Sequence, residues 1–170
     1  MPMVDVIDET FVVARPADVA AAVKDPGFLA RVFPRLGLIV FEDRGDEGVR
    51  LTVTGELVGT NEFWVEPWGD GAIVHYYLRA DPTRKGSATE PRTGPPRRLW
   101  RQAVRMRTAH CARLKAGLNE VKDRLEAGRA PGMPPEWAVP PAPAASAATA
   151  AKSPARRRAG SAGSGSAQSA

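Results

Sequence analysis

Glu9-Thr-Phe-Val-Val-Ala-Arg-Pro-Ala-Asp-Val-Ala-Ala-Ala-Val-Lys-Asp-Pro26 is the stretch that decides the fold. A strand rich in Val and Ile runs from Val4 to Val13 and gives way at Ala14-Arg15-Pro16. Pro16 suits the first turn of a helix, where its missing N–H would have no partner anyway. Asp18 adds negative charge at that N-terminus, where the helix dipole favours it. Val19, Ala22 and Val23 share one helical face, and Asp25-Pro26-Gly27 stops the helix. A second short helix is expected over Phe28–Phe33, with Pro34 ending it.

Outward from this stretch the chain alternates extended runs and turns. Leu36–Asp43 reads as a strand, followed by an acidic turn at Arg44–Gly48. Val49, Leu51 and Val53 alternate with Arg50, Thr52 and Thr54, the pattern of a strand with one dry face. Gly55 and Gly59 bracket a bend. Thr60–Glu66 follows as a strand, and Trp68-Gly69-Asp70-Gly71 is a hairpin turn. Ala72–Ala80 is the last strand. Residues 83–96 read as a mobile loop. Pro95-Pro96 then opens a long helix that reaches Ala127, with Gly128 as its C-terminal cap. Its apolar stripe reads Trp100, Val104, Cys111, Leu114, Leu118, Val121 and Leu125, with Arg107 interrupting it. Residues 129–170 are Pro, Ala, Ser and Gly with little apolar bulk and read as a disordered basic tail.

Charge is unevenly distributed along the 170 residues. The net charge of +5 divides into −6 over residues 1–91, +7 over residues 92–128 and +4 over residues 129–170. An acidic sheet region therefore meets a basic helix. Complementarity between them accounts for much of this, and a basic surface toward a membrane or acidic partner is the alternative. No aromatic-plus-basic motif points to nucleic acid. No apolar run approaches the roughly 18–20 residues of a membrane span. The N-terminus shows no basic segment followed by an apolar stretch, so a cytoplasmic location is expected. Cys111 is alone, and His75 and His110 have no metal-ligand spacing around them, so no metal and no cofactor are expected.

This set of features resembles the START, polyketide cyclase and birch-pollen-allergen superfamily, also called SRPBCC. The residues that carry the resemblance are Phe11–Val19, Asp25-Pro26, Phe33-Pro34, the strand end Glu42-Asp43, the Trp68–Gly71 hairpin and the C-terminal helix. It is most similar to short actinobacterial members of the polyketide cyclase/dehydrase and lipid transport type. The resemblance implies an α+β helix-grip fold, in which a curved antiparallel sheet wraps the long helix around a cavity. A full grip has about seven strands, and five are found here. It also implies binding of a lipid, isoprenoid or polyketide-like molecule, as carrier or sensor. A polyketide aromatase/cyclase-like activity is the alternative, and an adaptor working through the basic helix and tail is a second.

The expected ligand-binding residues are Val32, Phe33, Val40, Leu51, Val53, Asn61, Phe63, Val65, Tyr76, Leu78, Val104, Arg107, Cys111, Leu114 and Leu118. If Val74, Tyr76 and Leu78 face inward, Tyr76 offers the interior a phenol that can orient a carbonyl. In the opposite phase His75 and Tyr77 do. Tyr76, His75 and Arg107 are the candidate catalytic groups. Arg107 reads either as a cation receiving a carboxylate or phosphate, or as a snorkelling or ion-paired side chain. Thr52, Thr54, Trp64, His75 and Tyr77 would share the outer sheet face, a possible homodimer contact.

Overall fold

The computed structural model describes residues 1–138. Residues 139–170, most of the segment read as a tail, lie outside the described residues. The elements are β1 (Val4–Val12), α1 (Pro16–Lys24), α2 (Pro26–Val32), β2 (Leu36–Asp43), β3 (Gly48–Gly55), β4 (Leu57–Trp68), β5 (Gly71–Pro82) and α3 (Pro96–Leu125). The five strands form one antiparallel sheet in the order β1-β5-β4-β3-β2. With α3 across its inner face this is an α+β helix-grip arrangement. Among the described residues no helix is long and apolar enough to cross a membrane.

Local chemistry explains the boundaries. Asp25 both ends α1 and caps α2, because the following Pro26 disfavours helical backbone at position 25. Its Oδ1 accepts the Phe28 N–H at 2.8 Å. β4 and β5 run longer than the apolar alternation alone suggests. Their register holds from Leu57↔Pro82 to the turn at Trp68↔Gly71. Residues 83–96 are drawn back onto the sheet. The Arg92 N–H reaches the Pro82 carbonyl at 2.7 Å, and the Gly55 N–H reaches Ala88 at 2.9 Å.

The inner face carries Val4, Val6 and Val12 from β1 and Val74, Tyr76 and Leu78 from β5. Phe63 and Val65 from β4 and Val49, Leu51 and Val53 from β3 continue it. α1 and α2 close one end with Val19, Val23, Phe28 and Val32, and Phe33 follows them. α3 contributes Ala103, His110, Leu114, Gly117, Leu118 and Val121. Where a ligand space was expected, aromatic rings pack instead. Phe63 meets Phe28 edge-on at 6.0 Å between ring centroids and Tyr76 at 4.9 Å, and Phe33 stacks on His110 at 5.0 Å.

Two expected site residues are corrected here. Arg107 is exposed, because the buried stripe of α3 passes through Ala103, Met106 and His110. Val40 is 60% exposed, since it lies on the edge strand where no helix covers it. Val104 and Cys111 are half-buried on the flank of the stripe, and Trp100 is exposed.

Gly117 lies where side chains of α2 pack directly onto α3. A methyl group there would lie 2.5 Å from Val32 Cγ2 and 3.2 Å from Phe28 Cε2. Ala is a better helix former than Gly by about 1 kcal/mol. In this packed contact the clash outweighs that gain. Gly117→Ala is expected to destabilise the chain by about 1–3 kcal/mol in urea unfolding. A gain in stability would mean that α2 and α3 are not in contact here.

Candidate functional site

The most buried polar groups meet at one point between sheet and helix. Asn61 lies on β4 in phase with Phe63 and Val65, so it faces inward at 1% exposure. Tyr76 lies on β5, directly across from Phe63, and is fully buried. His110 comes from α3, one turn before Leu114, at 2% exposure.

The three side chains form a chain of hydrogen bonds. Asn61 Nδ2 donates to the Tyr76 hydroxyl at 3.0 Å. The hydroxyl also meets His110 Nε2. Because it already accepts from Asn61 and the imidazole is neutral, its own proton is assigned to this bond, with Nε2 as acceptor. Burial pushes the Tyr76 phenol well above its ordinary range, with Cys111 adding to the effect and the Asn61 bond opposing it. Burial also holds the His110 pKa down to about 4, and the Arg113 charge acts in the same direction. At neutral pH the phenol keeps its proton and the imidazole is neutral. With Nε2 accepting, the ring proton sits on Nδ1, which has no hydrogen-bond partner among the described residues. Asn61 Oδ1 is buried without a hydrogen-bond partner among the described residues.

His110 also borders a cleft of about 160 Å³. Phe33, Leu36, Leu57, Met106 and Ala109 supply its apolar wall, and Arg35, Arg105 and Arg113 stand around it. A wider basin of about 490 Å³ shares Arg35, Glu56, Arg105 and Met106 with the cleft and adds Arg84, Lys85 and Arg92 from residues 83–96. Arg35 pairs with Glu56 at 2.9 Å, and Arg84 pairs with Glu90. Arg92 donates to Gln102 at 2.8 Å. Among the described residues, no carboxylate lies within ion-pair distance of Lys85, Arg92, Arg105 or Arg113. The opening is therefore strongly cationic, with a neutral ring at its floor.

The remaining sequence candidates are elsewhere. His75 faces the opposite side of the sheet from Tyr76, with Nδ1 3.1 Å from Glu9 and Nε2 2.9 Å from Glu66. It stacks on Trp64 at 4.5 Å. Arg107 is not part of the cleft. Of the residues expected to line a cavity, Phe33 borders the cleft, while Val32, Leu51, Val53, Phe63, Val65, Leu78, Leu114 and Leu118 pack in the core. The residue that the sequence reading missed is His110. Its signal was its spacing: it lies one turn before Leu114 and three turns before Val121. Among the described residues no group of three or more His, Cys, Asp or Glu is placed to hold a metal ion.

The Aha1 dimer from Colwellia psychrerythraea is similar over 75% of this chain and 99% of that chain, at 13% identity and a TM-score of 0.47. A START superfamily protein from Mycobacterium smegmatis is similar over 71% of this chain and 98% of that one, at 13% identity and a TM-score of 0.41. The di-domain ARO/CYC StfQ of the steffimycin biosynthetic pathway matches over 72% of this chain and 51% of its own, at 13% identity and a TM-score of 0.43. No protein-family model and no curated protein matches the chain.

The sign of the pH dependence follows from the depressed His110 pKa. An unfolded chain protonates this ring near 6.5, and the folded chain near 4. Between those values the unfolded state binds the extra proton, so stability falls as pH falls, by up to about 1.4 kcal/mol per pH unit. This contribution is present above pH 6.5 and lost by about pH 4. Unfolding free energies measured across this window are expected to show the loss in the wild type and a shallower slope in His110→Gln. Equal slopes would place His110 in water. Tyr76→Phe strands the Asn61 and His110 nitrogens and is expected to cost about 1–3 kcal/mol.

Proposed function

We propose that this chain binds a small amphipathic anion at the cleft between α3 and the Phe33–Leu36 turn, as a carrier or sensor. The apolar end enters against Phe33, Leu36, Leu57 and Met106. The acidic end meets Arg105 and Arg113, and the basin beyond receives any further negative charge. The observation that carries this reading is a set of cations, Lys85, Arg92, Arg105 and Arg113, without carboxylate partners among the described residues, around an opening floored by neutral His110. Four such cations exceed what one carboxylate neutralises, which favours a phosphate-bearing or doubly acidic ligand. The cleft alone is smaller than the roughly 300 Å³ at which small-molecule sites begin. Together with the basin it comes within the usual range.

The same network supports binding over acid–base catalysis. Tyr76 is sealed from solvent and spends its proton on His110. A general acid or base must come within hydrogen-bond reach of its substrate. The raised phenol pKa and the lowered imidazole pKa also leave neither group poised near neutrality.

Calorimetric titration of the full chain with octyl phosphate and with octanol tests the reading. Octyl phosphate is expected to bind and to weaken steeply with added salt. Octanol is expected to bind at least about tenfold more weakly. Arg105→Glu with Arg113→Glu is expected to abolish the difference between the two. No binding of either compound, or equal binding of both, would contradict the proposal.

A further inference from the structure

The two edges of the sheet are treated differently. On β1 the carbonyls of Glu9 and Phe11 accept from Lys115 and Lys122 of α3, at 3.3 Å and 3.0 Å. Just beyond, the Val13 N–H donates to Glu126 at 2.8 Å. The helix thus caps that edge. Among the described residues β2 has no such cover. Ile39, Val40 and Phe41 are 60%, 60% and 75% exposed, with no Lys or Pro between Leu36 and Phe41. Exposed apolar edge strands pair with other strands unless such devices prevent it.

We infer that β2 pairs with β2 of a second copy, antiparallel about a two-fold axis at Ile39, joining two sheets into one of ten strands. The centre of this surface, Ile39–Phe41, lies outside the cleft, although Arg35 and Leu36 at its end also border the cleft. The backbone selects the register. The Arg35 carbonyl accepts from the Glu56 N–H, so by strand alternation Gly37 and Ile39 point their polar groups at β3. Leu36, Leu38 and Val40 point theirs outward. The Leu36 N–H is already taken by the Phe33 carbonyl at 3.0 Å. The open N–H groups in the regular part of the edge are therefore those of Leu38 and Val40, before the bulge between Val40 and Glu42. Reciprocal pairing of Leu38 with Val40 of the other copy satisfies both.

That register also matches the side chains. Ile39 faces its own copy at the axis. Phe41 falls opposite Gly37, which offers no side chain to oppose it. Arg35 falls opposite the acidic end of the strand at Glu42-Asp43, so like charges do not meet there. Each of these groups also keeps a partner in its own copy, Arg35 with Glu56, Glu42 with Arg50 and Asp43 with Lys24. A shift centred on Leu38 would instead use the Leu36 N–H that is already bonded.

Sedimentation of the full chain over a concentration series, with disulfide trapping, tests this. The wild type is expected to show a reversible dimer. Ile39→Lys should weaken association by roughly tenfold or more. Its side chain is exposed, so folding is expected to survive, and an unchanged far-UV spectrum verifies that. In a Cys111→Ser background, Ile39→Cys should form an interchain disulfide on oxidation. Its Cα atoms would lie about 4.5 Å apart in a non-hydrogen-bonded pair, inside the roughly 4.4–6.8 Å that a disulfide spans. Phe41→Cys should form it far more slowly, since it faces Gly37. A monomer at every concentration overturns the proposal, whether the edge is bare or covered by residues 139–170. A dimer unaffected by Ile39→Lys, or trapped faster by Phe41→Cys, overturns it as well.

Discussion

The hydrogen bond from Tyr76 to His110 is the constraint on which this structure depends. It joins the central region of the sheet to the long helix inside an apolar interior. A buried phenol and imidazole are costly unless each is the other's partner. Their bond can form in only one rotational setting of α3. That setting turns Leu114, Leu118 and Val121 onto the sheet and leaves Arg107 in solvent. It also stacks His110 on Phe33, which locks the end of α2 over the same spot. Gly117 completes the arrangement two turns later, where its missing side chain admits Val32 and Phe28.

The fold was legible because its signals are local. Pro16, Asp25-Pro26 and the Trp68–Gly71 turn punctuate the chain, and Val49, Leu51 and Val53 declare their face by alternation. Asn61 likewise declares its face through Phe63 and Val65. The helix phase was harder to read. A stripe stepping by alternating threes and fours keeps a seven-residue repeat, and a straight helix drifts about 20° per heptad from it. Over the 30 residues of α3 that drift matters. Leu114 and Val121 satisfy both readings, but eleven residues earlier stand Ala103 and His110, not Trp100 and Arg107. In the sequence, His110 offers a metal ligand as its obvious role, and no ligand spacing accompanies it. A histidine whose partner is a tyrosine 34 positions away has no local signature.

Electrostatics follow from the same geometry. The acidic sheet and basic helix complement each other in part, through Lys115 of α3 with Asp8 of β1 at 2.7 Å, while Arg31 of α2 pairs with Glu120 of α3 at 3.1 Å. These pairs are largely exposed and each contributes little to stability. The cations around the cleft are left out of this matching. On the outer face the charges are nearly self-sufficient, with Arg44 and Arg50 both reaching Glu42 and Glu62. Among the described residues, Lys85, Arg92, Arg105 and Arg113 are the unpaired cations that line the opening where the helix, the Phe33–Leu36 turn and residues 83–96 converge on His110. Others, such as Arg97, Arg101 and Arg107, stand in solvent along α3.

The measurement that bears most directly on this account is ¹⁵N NMR of the His110 imidazole in the full chain, followed from neutral pH downward. The account predicts a neutral ring protonated at Nδ1, with Nε2 shifted as a hydrogen-bond acceptor, that resists protonation until about pH 4. A ring protonated at Nε2, or one that titrates near 6.5, would contradict it.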